Sequence, residues 1–245
     1  MFYNNDMERK TETLQDLEVD TFGFEEAVEY GFKNRGQVVT LNPEMVMNTL
    51  KDSALKTVIK SSEMVVPDGV GIELGFKILG KKDVSRIAGI EFAKAMIKKY
   101  WEANLPIALV GAEQEVLELS CQNLKKEFDG LNIIYSHNGF FENNDTIYES
   151  LKKDNPQLVL VALGSPKQEL FIYNIKKEMP NTLFIGVGGS FDVWSNKVER
   201  APEFWQKLGL EWLYRTVKQP SRFKRIFPTL PLFVFRVLKE RVCKC

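Results

Sequence analysis

Residues 157–179, QLVLVALGSPKQELFIYNIKKEM, contain the pattern that decides the fold. The run LVLVA is continuously apolar, which predicts a short strand that is buried on both faces. Gly164, Ser165 and Pro166 then predict a turn, and the apolar residues that follow recur at helical spacing. A strand that passes at once into a helix is the repeating unit of a parallel sheet covered by helices.

The same order of strand, turn and helix recurs on both sides of this stretch. Downstream, TLFIGVGGSFDVWSN at residues 182–196 is a strand that ends in a glycine turn. Upstream, further β-rich runs end in turns or loops: QVVTLN (37–42), SEMVVPDGVG (62–71), LPIALVGA (105–112) and LNIIYSHNGFF (131–141). We therefore predict the α/β class, with a Rossmann-like, mostly parallel sheet covered by helices and a basic helical appendage at the C-terminus. Ligands of such folds bind outside the carboxyl ends of the strands.

The composition is that of an ordinary globular protein and excludes several kinds of site. The 245 residues include 33 Lys and Arg, 33 Asp and Glu, and 44% hydrophobic residues, and this length favours one large domain or a domain with an appendage. The single histidine, His137, excludes a metal site that needs two imidazoles, and three cysteines cannot form a disulfide framework. No apolar run reaches the roughly 18 residues of a membrane-spanning helix, and the N-terminus lacks the apolar core of a signal peptide. We expect a cytoplasmic protein in a reducing compartment.

Charged and aromatic residues divide the chain near Arg200. Residues 200–245 hold 11 Lys and Arg against 3 Asp and Glu, so the first 199 residues carry the opposite excess. We predict a flexible extension over residues 1–16, an α/β domain over 17–199 and a basic, aromatic appendage over 200–245. Basic residues interleaved with aromatic ones are typical of a surface that lies on an anionic membrane. The pattern alone also allows a helix pair packed on the core, or a nucleic-acid groove.

Two glycine turns at predicted strand ends are candidates for binding a phosphate. They are VALGSPKQE at residues 161–169 and IGVGGSFD at residues 185–192. Glycine lets the backbone approach an anion, and N–H groups at such a turn can bind it. Neither turn has the spacing of a P-loop, and neither matches the dinucleotide fingerprint. The alternative, that each turn only reverses the chain, stays open.

Short polar side chains at two other strand ends are further candidates. Asp68 stands where a carboxylate can remove a proton from a hydroxyl, although an aspartate before glycine is more often a turn or cap residue. Thr40 and Asn42 end another strand, where capping the helix that begins near Pro43 is their default role. No second acidic residue stands two positions from Asp68, so the pair of a DxD-like metal motif is missing.

Arginines are the candidate ligands for phosphate groups. Several guanidinium groups together suit a diphosphate, because each can bind phosphate through two parallel hydrogen bonds. Arg86 precedes a predicted helix and faces either the same cavity or water. Four basic residues stand close together in the C-terminal segment: Arg215, Arg222, Lys224 and Arg225. For all of these a solvated surface is the alternative.

Eight motifs in one order make the chain similar to a known family. They are TLNPEMV, VVPDGVGI, RIAGIEF, ALVGA, NGFF, ALGSPKQE, IGVGGSFD and WLYRTVKQPSRFKR, and they fall between roughly Leu17 and Arg225. The chain resembles the WecG/TagA/CpsF family, glycosyltransferase family 26. The resemblance implies an inverting transfer of N-acetylmannosamine from UDP-N-acetylmannosamine (UDP-ManNAc) to the 4-hydroxyl of N-acetylglucosamine (GlcNAc) on undecaprenyl diphosphate, in wall teichoic acid synthesis. Relatives use N-acetylmannosaminuronic acid or glucose for common antigen, capsule or exopolysaccharide, so another UDP-sugar is an alternative. A nucleotide-sugar-binding module without catalysis is a further one.

The resemblance also implies a role for each candidate residue. Asp68 would be the general base, and no metal or other cofactor is expected, so arginines and backbone N–H groups would stabilise the departing UDP. The implied substrate-binding residues are Thr40, Asn42, Arg86, Gln168, Arg215, Arg222 and Arg225. The implied nucleotide-binding residues are Gly111, Gly188, Gly189 and Asp192.

Finally, the resemblance implies where the protein acts. Residues 17–199 would form the catalytic domain, and residues 200–245 would dock on the anionic inner face of the cell membrane and complete the active site. The protein would then be a peripheral membrane protein on the cytoplasmic side. The expected partners are the UDP-sugar donor, GlcNAc linked to undecaprenyl diphosphate, the membrane surface and a second copy of the chain in a homo-oligomer. Nucleic acid is not an expected partner.

Overall fold

The computed structural model describes residues 8–81, 83–207, 209–218 and 223–244. Two of its strands form an antiparallel hairpin and six form a parallel sheet. In chain order the strands are β1 (Thr11–Leu14), β2 (Leu17–Asp20), β3 (Gly36–Leu41), β4 (Met64–Pro67), β5 (Ile107–Gly111), β6 (Ile133–His137), β7 (Leu158–Ala162) and β8 (Leu183–Gly186).

Helices follow nearly every strand of the sheet. They are α1 (Phe24–Lys33), α2 (Pro43–Asn48), α3 (Ser53–Lys60), α4 (Val70–Ile78), α5 (Gly89–Glu102), α6 (Gln114–Glu127), α7 (Asn144–Asp154), α8 (Lys167–Ile175), α9 (Ser190–Trp194), α10 (Glu203–Lys207), α11 (Glu211–Lys218) and α12 (Phe223–Lys244). Short polar residues begin several of them: the side chain of Asn42 accepts a hydrogen bond at the start of α2, as the sequence predicts, and that of Asp52 does so at the start of α3.

The six parallel strands lie in the order β4-β3-β8-β7-β5-β6. All five residues of β7 are buried, in agreement with the continuous apolar run that predicted a strand buried on both faces. Along β3, Val38 packs with α1, α5 and α9 on one face, whereas Val39 and Leu41 pack on the other face with α2 and the hairpin. The predicted α/β class, with a parallel sheet covered by helices, is therefore confirmed.

Neighbouring strands send their helices to opposite faces at several places along the carboxyl edge of this sheet, and two of the resulting crevices adjoin predicted site residues. At the first crevice, β3 leads into α2 on one face and the adjacent β8 leads into α9 on the other. At the second, β5 leads into α6 and the adjacent β7 leads into α8 on the opposite face. Both are places where such folds bind ligands.

The predicted extension over residues 1–16 is too long. β1 and β2 form a hairpin in which Leu14 and Leu17 are fully buried. The hairpin is held to β4, because the buried carboxylate of Asp20 accepts a hydrogen bond from the Val65 N–H at 2.7 Å and pairs with Arg9 at 2.6 Å. Residues 1–7 lie outside the described residues.

The C-terminal helix α12 packs on the body of the protein, against α2 and α4. Phe233 and Val237 are fully buried there, in the same apolar cluster as the hairpin. A methyl group added at Gly75 would lie 3.0 Å from the ring of Phe233, so the helix backbone and the ring are in close contact. The hairpin also binds the end of α12, because the backbone and side-chain N–H groups of Gln15 donate to Glu240 at 3.0 and 2.7 Å. Part of the predicted appendage thus belongs to the hydrophobic core.

Candidate active site at the carboxyl edge of the sheet

The first crevice collects polar groups from chain segments that are far apart in sequence. β3 ends at Leu41 and β4 ends at Pro67, and the two strand ends are joined because the Asp68 N–H donates to the Leu41 carbonyl at 2.7 Å. The Thr40 hydroxyl reaches across to the next strand and donates to the Gly186 carbonyl at 3.4 Å. The carboxyl ends of β3, β4 and β8 therefore form one continuous rim.

Asp68 lies on this rim between the N-termini of two helices. It precedes Gly69, the N-cap residue of α4, which has a φ of +85°. The Oδ1 of Asp68 accepts a hydrogen bond from the Gly89 N–H of α5 at 3.3 Å. Helix N-termini favour a nearby negative charge, which suits a carboxylate that must be ionised to accept a proton. The side chain is half-buried, so it is reachable from the crevice.

Gly89 explains why Thr40 and Asp68 can approach α5 so closely. A Cβ at this position would lie 3.0 Å from the Thr40 methyl carbon and 3.3 Å from Asp68 Oδ2. Glycine therefore lets the first turn of α5 rest on both side chains at once. The result is a compact group of one hydroxyl, one carboxylate and a helix N-terminus.

Asn42 has the capping role that the sequence left open as its default. Its Oδ1 accepts a hydrogen bond from the Met45 N–H at 3.0 Å, at the start of α2, where Pro43 occupies the first helical position. The capping hydrogen bond uses only the Oδ1 atom of Asn42. The residue lies next to the rim, two positions after Thr40.

Arg86 is in contact with the C-terminal segment. Its Nη2 donates to the Gln206 carbonyl at 3.3 Å, and a Cβ at Gly209 would lie 3.2 Å from Nη1. The same Cβ would overlap Val70, which follows the Asp68–Gly69 turn. Gln206 and Gly209 thus lie against Arg86, and only glycine fits where Gly209 meets Val70, directly after the turn that holds the carboxylate.

Gln168 is buried beneath the glycine turn that follows β8 rather than exposed in the crevice. Its side chain is 4% exposed, its Oε1 accepts the Gly188 N–H at 3.0 Å, and its Nε2 donates to Glu169 Oε1 at 2.8 Å. The Gly188 N–H is therefore already used inside the protein. Asp192 lies half-buried in the first turn of α9, with its carbonyl accepting from the Val198 N–H at 2.9 Å.

Gly111 does not lie with this group. It ends β5, in the second crevice, and β8 and β7 stand between β5 and β3. At strand spacings of about 4.8 Å, β5 lies roughly 14 Å from β3. Gly111 has a φ of +125°, and a Cβ there would overlap the Ala162 carbonyl, so glycine is required by the close approach of β5 and β7.

Comparison with known proteins agrees with the resemblance carried by the eight motifs. The model of the glycosyl transferase WecG/TagA/CpsF family matches residues 12–244. The chain belongs to this family. An N-acetylglucosaminyldiphosphoundecaprenol N-acetyl-beta-D-mannosaminyltransferase of Bacillus spizizenii is 32% identical over 226 residues, which cover 92% of this chain and 88% of the relative. The protein is a glycosyltransferase, and its predicted family is confirmed.

In this glycosyltransferase, the structure brings together some of the predicted site residues and not others. Thr40, Asn42, Asp68 and Arg86 surround the first crevice, and the Gly188–Gly189 turn borders it on β8. Arg215 and Arg225 lie on α11 and α12, where the structure describes the helical backbone but not these side chains. Arg222 lies outside the described residues. The predicted roles of these arginines stay predictions.

Glu169 is a member of the site region that the sequence analysis missed. It is 2% exposed, and burial raises the pKa of its carboxyl group above the ordinary value, although hydrogen bonds from Gln168 and Ser165 oppose the shift. The only signal in the sequence is a charged residue directly after Gln168 in a helix whose other face is apolar. Such a residue is normally solvated, so burial was not readable from the pattern.

Two features of the described residues bear on metal binding and on the membrane. Within residues 8–81, 83–207, 209–218 and 223–244, no three His, Cys, Asp or Glu side chains cluster as the ligands of a metal ion do. Within the same ranges, every helix is too short or too polar to cross a bilayer.

Proposed function

We propose that this glycosyltransferase transfers N-acetylmannosamine from UDP-ManNAc to the 4-hydroxyl of GlcNAc on undecaprenyl diphosphate, with Asp68 as the general base. The donor and acceptor are suggested by the name of the Bacillus spizizenii relative. The observation that carries the proposal is the position of Asp68, half-buried on the rim of the first crevice beside Thr40 and the N-terminus of α5.

The proposed reaction is a single displacement at the anomeric carbon of the donor sugar. The acceptor 4-oxygen attacks this carbon from the face opposite UDP, the bond from the carbon to the phosphate oxygen breaks, and its electron pair leaves with UDP. The proton of the 4-hydroxyl passes to the Asp68 carboxylate. Because one displacement occurs, the anomeric configuration inverts and the product is β-linked.

The departing UDP needs positive charge or N–H groups near its phosphates. Arg86 lies at the crevice, and Arg215, Arg222 and Arg225 belong to the C-terminal segment that starts from it. We propose that these arginines close over the diphosphates once the segment is docked, so that turnover needs no metal ion. The contacts of Gln206 and Gly209 with Arg86, and of Gly209 with Val70 after the Asp68–Gly69 turn, support this role for the segment.

The acceptor is a lipid, so we propose that α12 holds the enzyme on the inner face of the cell membrane. One side of α12 is buried in the core, and its other side exposes a row of apolar residues: Leu232, Phe235, Leu238 and Val242. Arg236 and Lys239 are exposed on the same helix. Apolar residues bordered by basic ones are typical of helices that lie in the interface of an anionic membrane, where each basic residue contributes about 1 kcal/mol.

A transfer assay tests the proposal. Purified protein is given a GlcNAc-diphosphate-lipid acceptor with UDP-ManNAc, UDP-N-acetylmannosaminuronate or UDP-glucose, each with and without EDTA. We expect transfer from UDP-ManNAc that EDTA leaves unchanged. Transfer from another donor would replace the proposed substrate, and loss of activity in EDTA would refute the metal-free mechanism. UDP binding without transfer from any of the donors would favour a binding module.

A further inference from the structure

The side-chain amide of Gln168 is held in one orientation by two groups of opposite kind. The Gly188 N–H can only donate, and it faces Oε1 at 3.0 Å. The Glu169 carboxyl group accepts from Nε2 at 2.8 Å. Turning the amide by 180° would set Nε2 against the Gly188 N–H and Oε1 against a carboxyl oxygen, so both contacts would become unfavourable. Glu169 therefore selects the orientation in which Gln168 binds the turn.

Close packing around the Gln168 amide leaves it little room to move away from these two contacts. A Cβ at Gly186 would lie 2.6 Å from Gln168 Nε2, so the amide lies directly against the backbone at the end of β8. The Glu169 carbonyl accepts from the fully buried Gln37 side chain at 3.0 Å, which ties the first turn of α8 to β3. The first turn of α8 thus packs against the turn after β8 and holds it in place.

Glu169 lowers the free energy of unfolding relative to an apolar residue, which is unusual for a side chain with a purely structural role. Within the described residues, its Oε2 is buried without a hydrogen-bond partner. A buried polar atom in this state costs free energy that an apolar side chain of similar size would not. Such a group calls for a role beyond filling space.

We propose that Glu169 is a positioning residue for the donor diphosphate, acting through Gln168 on the Val187–Gly189 turn. The inference rests on the proposed function, in which that turn holds the nucleotide end of the donor. By fixing the Gln168 amide, Glu169 fixes the Gly188 N–H and hence the path of the backbone that meets the diphosphate. Because Glu169 is buried away from the crevice, its effect falls on donor binding and not on the chemical step.

Two substitutions at this position separate an acceptor role from a space-filling one. Glu169→Met removes the acceptor, and we expect the Kd for UDP and the KM for the donor to rise about tenfold to hundredfold, with kcat within about threefold of the wild type. Glu169→Gln keeps an oxygen that can accept from Gln168 Nε2, and we expect it to restore both values to within about threefold. UDP affinity is measured by calorimetry, and folding by circular dichroism.

A double-mutant cycle then tests whether the effect passes through Gln168. If it does, Glu169→Met has no further effect on UDP affinity in a Gln168→Met protein. Additive losses would overturn the proposal, as would a Glu169→Met protein with wild-type affinity or a Glu169→Gln protein as weak as Glu169→Met. Failure of the wild-type protein to bind UDP would instead refute the proposed function.

A second variant keeps the proposal testable if Glu169→Met does not fold. Gln168→Glu sets two carboxyl groups side by side, and they must share a proton to keep the same contacts. Gln168 and Ser165 are the side chains that hydrogen-bond to the Glu169 carboxyl. We expect the ratio of mutant to wild-type UDP affinity to fall as pH rises from about 6 to about 9. A ratio independent of pH would overturn the proposal.

Discussion

Phe233 and Phe235 stand two residues apart on α12 and are expected to respond oppositely to the same change. Phe233 is fully buried against α4 and the N-terminal hairpin, whereas Phe235 is 64% exposed. Replacing each by alanine tests both whether α12 is docked on the core and whether its outer face binds a membrane. The two variants are matched controls for each other, since helix and residue type are the same.

The expected magnitudes follow from burial. Phe233→Ala leaves a cavity in the core, which costs about 3–5 kcal/mol of unfolding free energy, whereas an exposed substitution stays within about 0.5 kcal/mol. For membrane binding, the larger effect is expected from Phe235→Ala and the smaller from Phe233→Ala. Burying an exposed phenylalanine side chain is worth about 1.5–3 kcal/mol in full, so losing the exposed two thirds of Phe235 weakens binding roughly fivefold to thirtyfold.

Urea denaturation followed by circular dichroism measures the first effect, and co-sedimentation with anionic vesicles measures the second. We expect a large fall in the urea midpoint for Phe233→Ala and almost none for Phe235→Ala. A Phe233→Ala loss below about 1 kcal/mol would show that α12 is not docked in solution. Unchanged vesicle binding by Phe235→Ala would refute the proposed orientation of the helix on the membrane.

Three further predictions concern the site. Asp68→Asn should lower the transfer rate about 10²- to 10⁴-fold with little change in the Kd for UDP, the range for loss of a general base, and an unchanged rate in the transfer assay would remove Asp68 from that role. Gly209→Ala should lower activity much more than Gly130→Ala, because both positions have positive φ but only a Cβ at Gly209 meets Val70 and Arg86; equal activities would contradict the docking of Gly209 on Val70. Burial raises the pKa of the Glu169 carboxyl group above its ordinary value of 4.5. Between pH 4.5 and the raised pKa, the folded state holds a proton that the unfolded state has released, so the free energy of unfolding falls as pH rises through this range. Glu169→Gln should therefore become increasingly stabilising over that window, and a difference in melting temperature that does not change with pH would count against a buried, protonated carboxyl.

Much of the fold was readable from local pattern. The apolar runs of β5, β7 and β8 and the glycines after them predicted buried strands that end in turns, because burial on both faces demands apolar residues without alternation. The hairpin of β1 and β2 was not readable, since TETL and LEVD are short and polar. Their pairing depends on Leu14 and Leu17, which find buried partners only in the assembled core.

The candidate site was readable as a set of residues but not as an arrangement. Thr40 and Asp68 meet because β3 and β4 are neighbours in the sheet. Gly111 has the same local pattern as the other glycine turns, yet it lies in the second crevice because β8 and β7 insert between β3 and β5. Gln168 was expected to face the ligand, and its burial beneath the Gly188 turn depends on the packing of α8 against the sheet.

The sequence by itself determined the α/β class, the strand ends that carry polar residues, and the family. These depend on contacts between residues that are close in the chain, and on motifs that keep their order. Only the tertiary structure decided which strand ends share a crevice, which face of α12 is buried, and that the Gln168 amide is buried in a hydrogen bond to Glu169. Strand order and helix docking are set by non-local packing, in which apolar side chains from distant segments are buried together, and no local pattern specifies which segments those are.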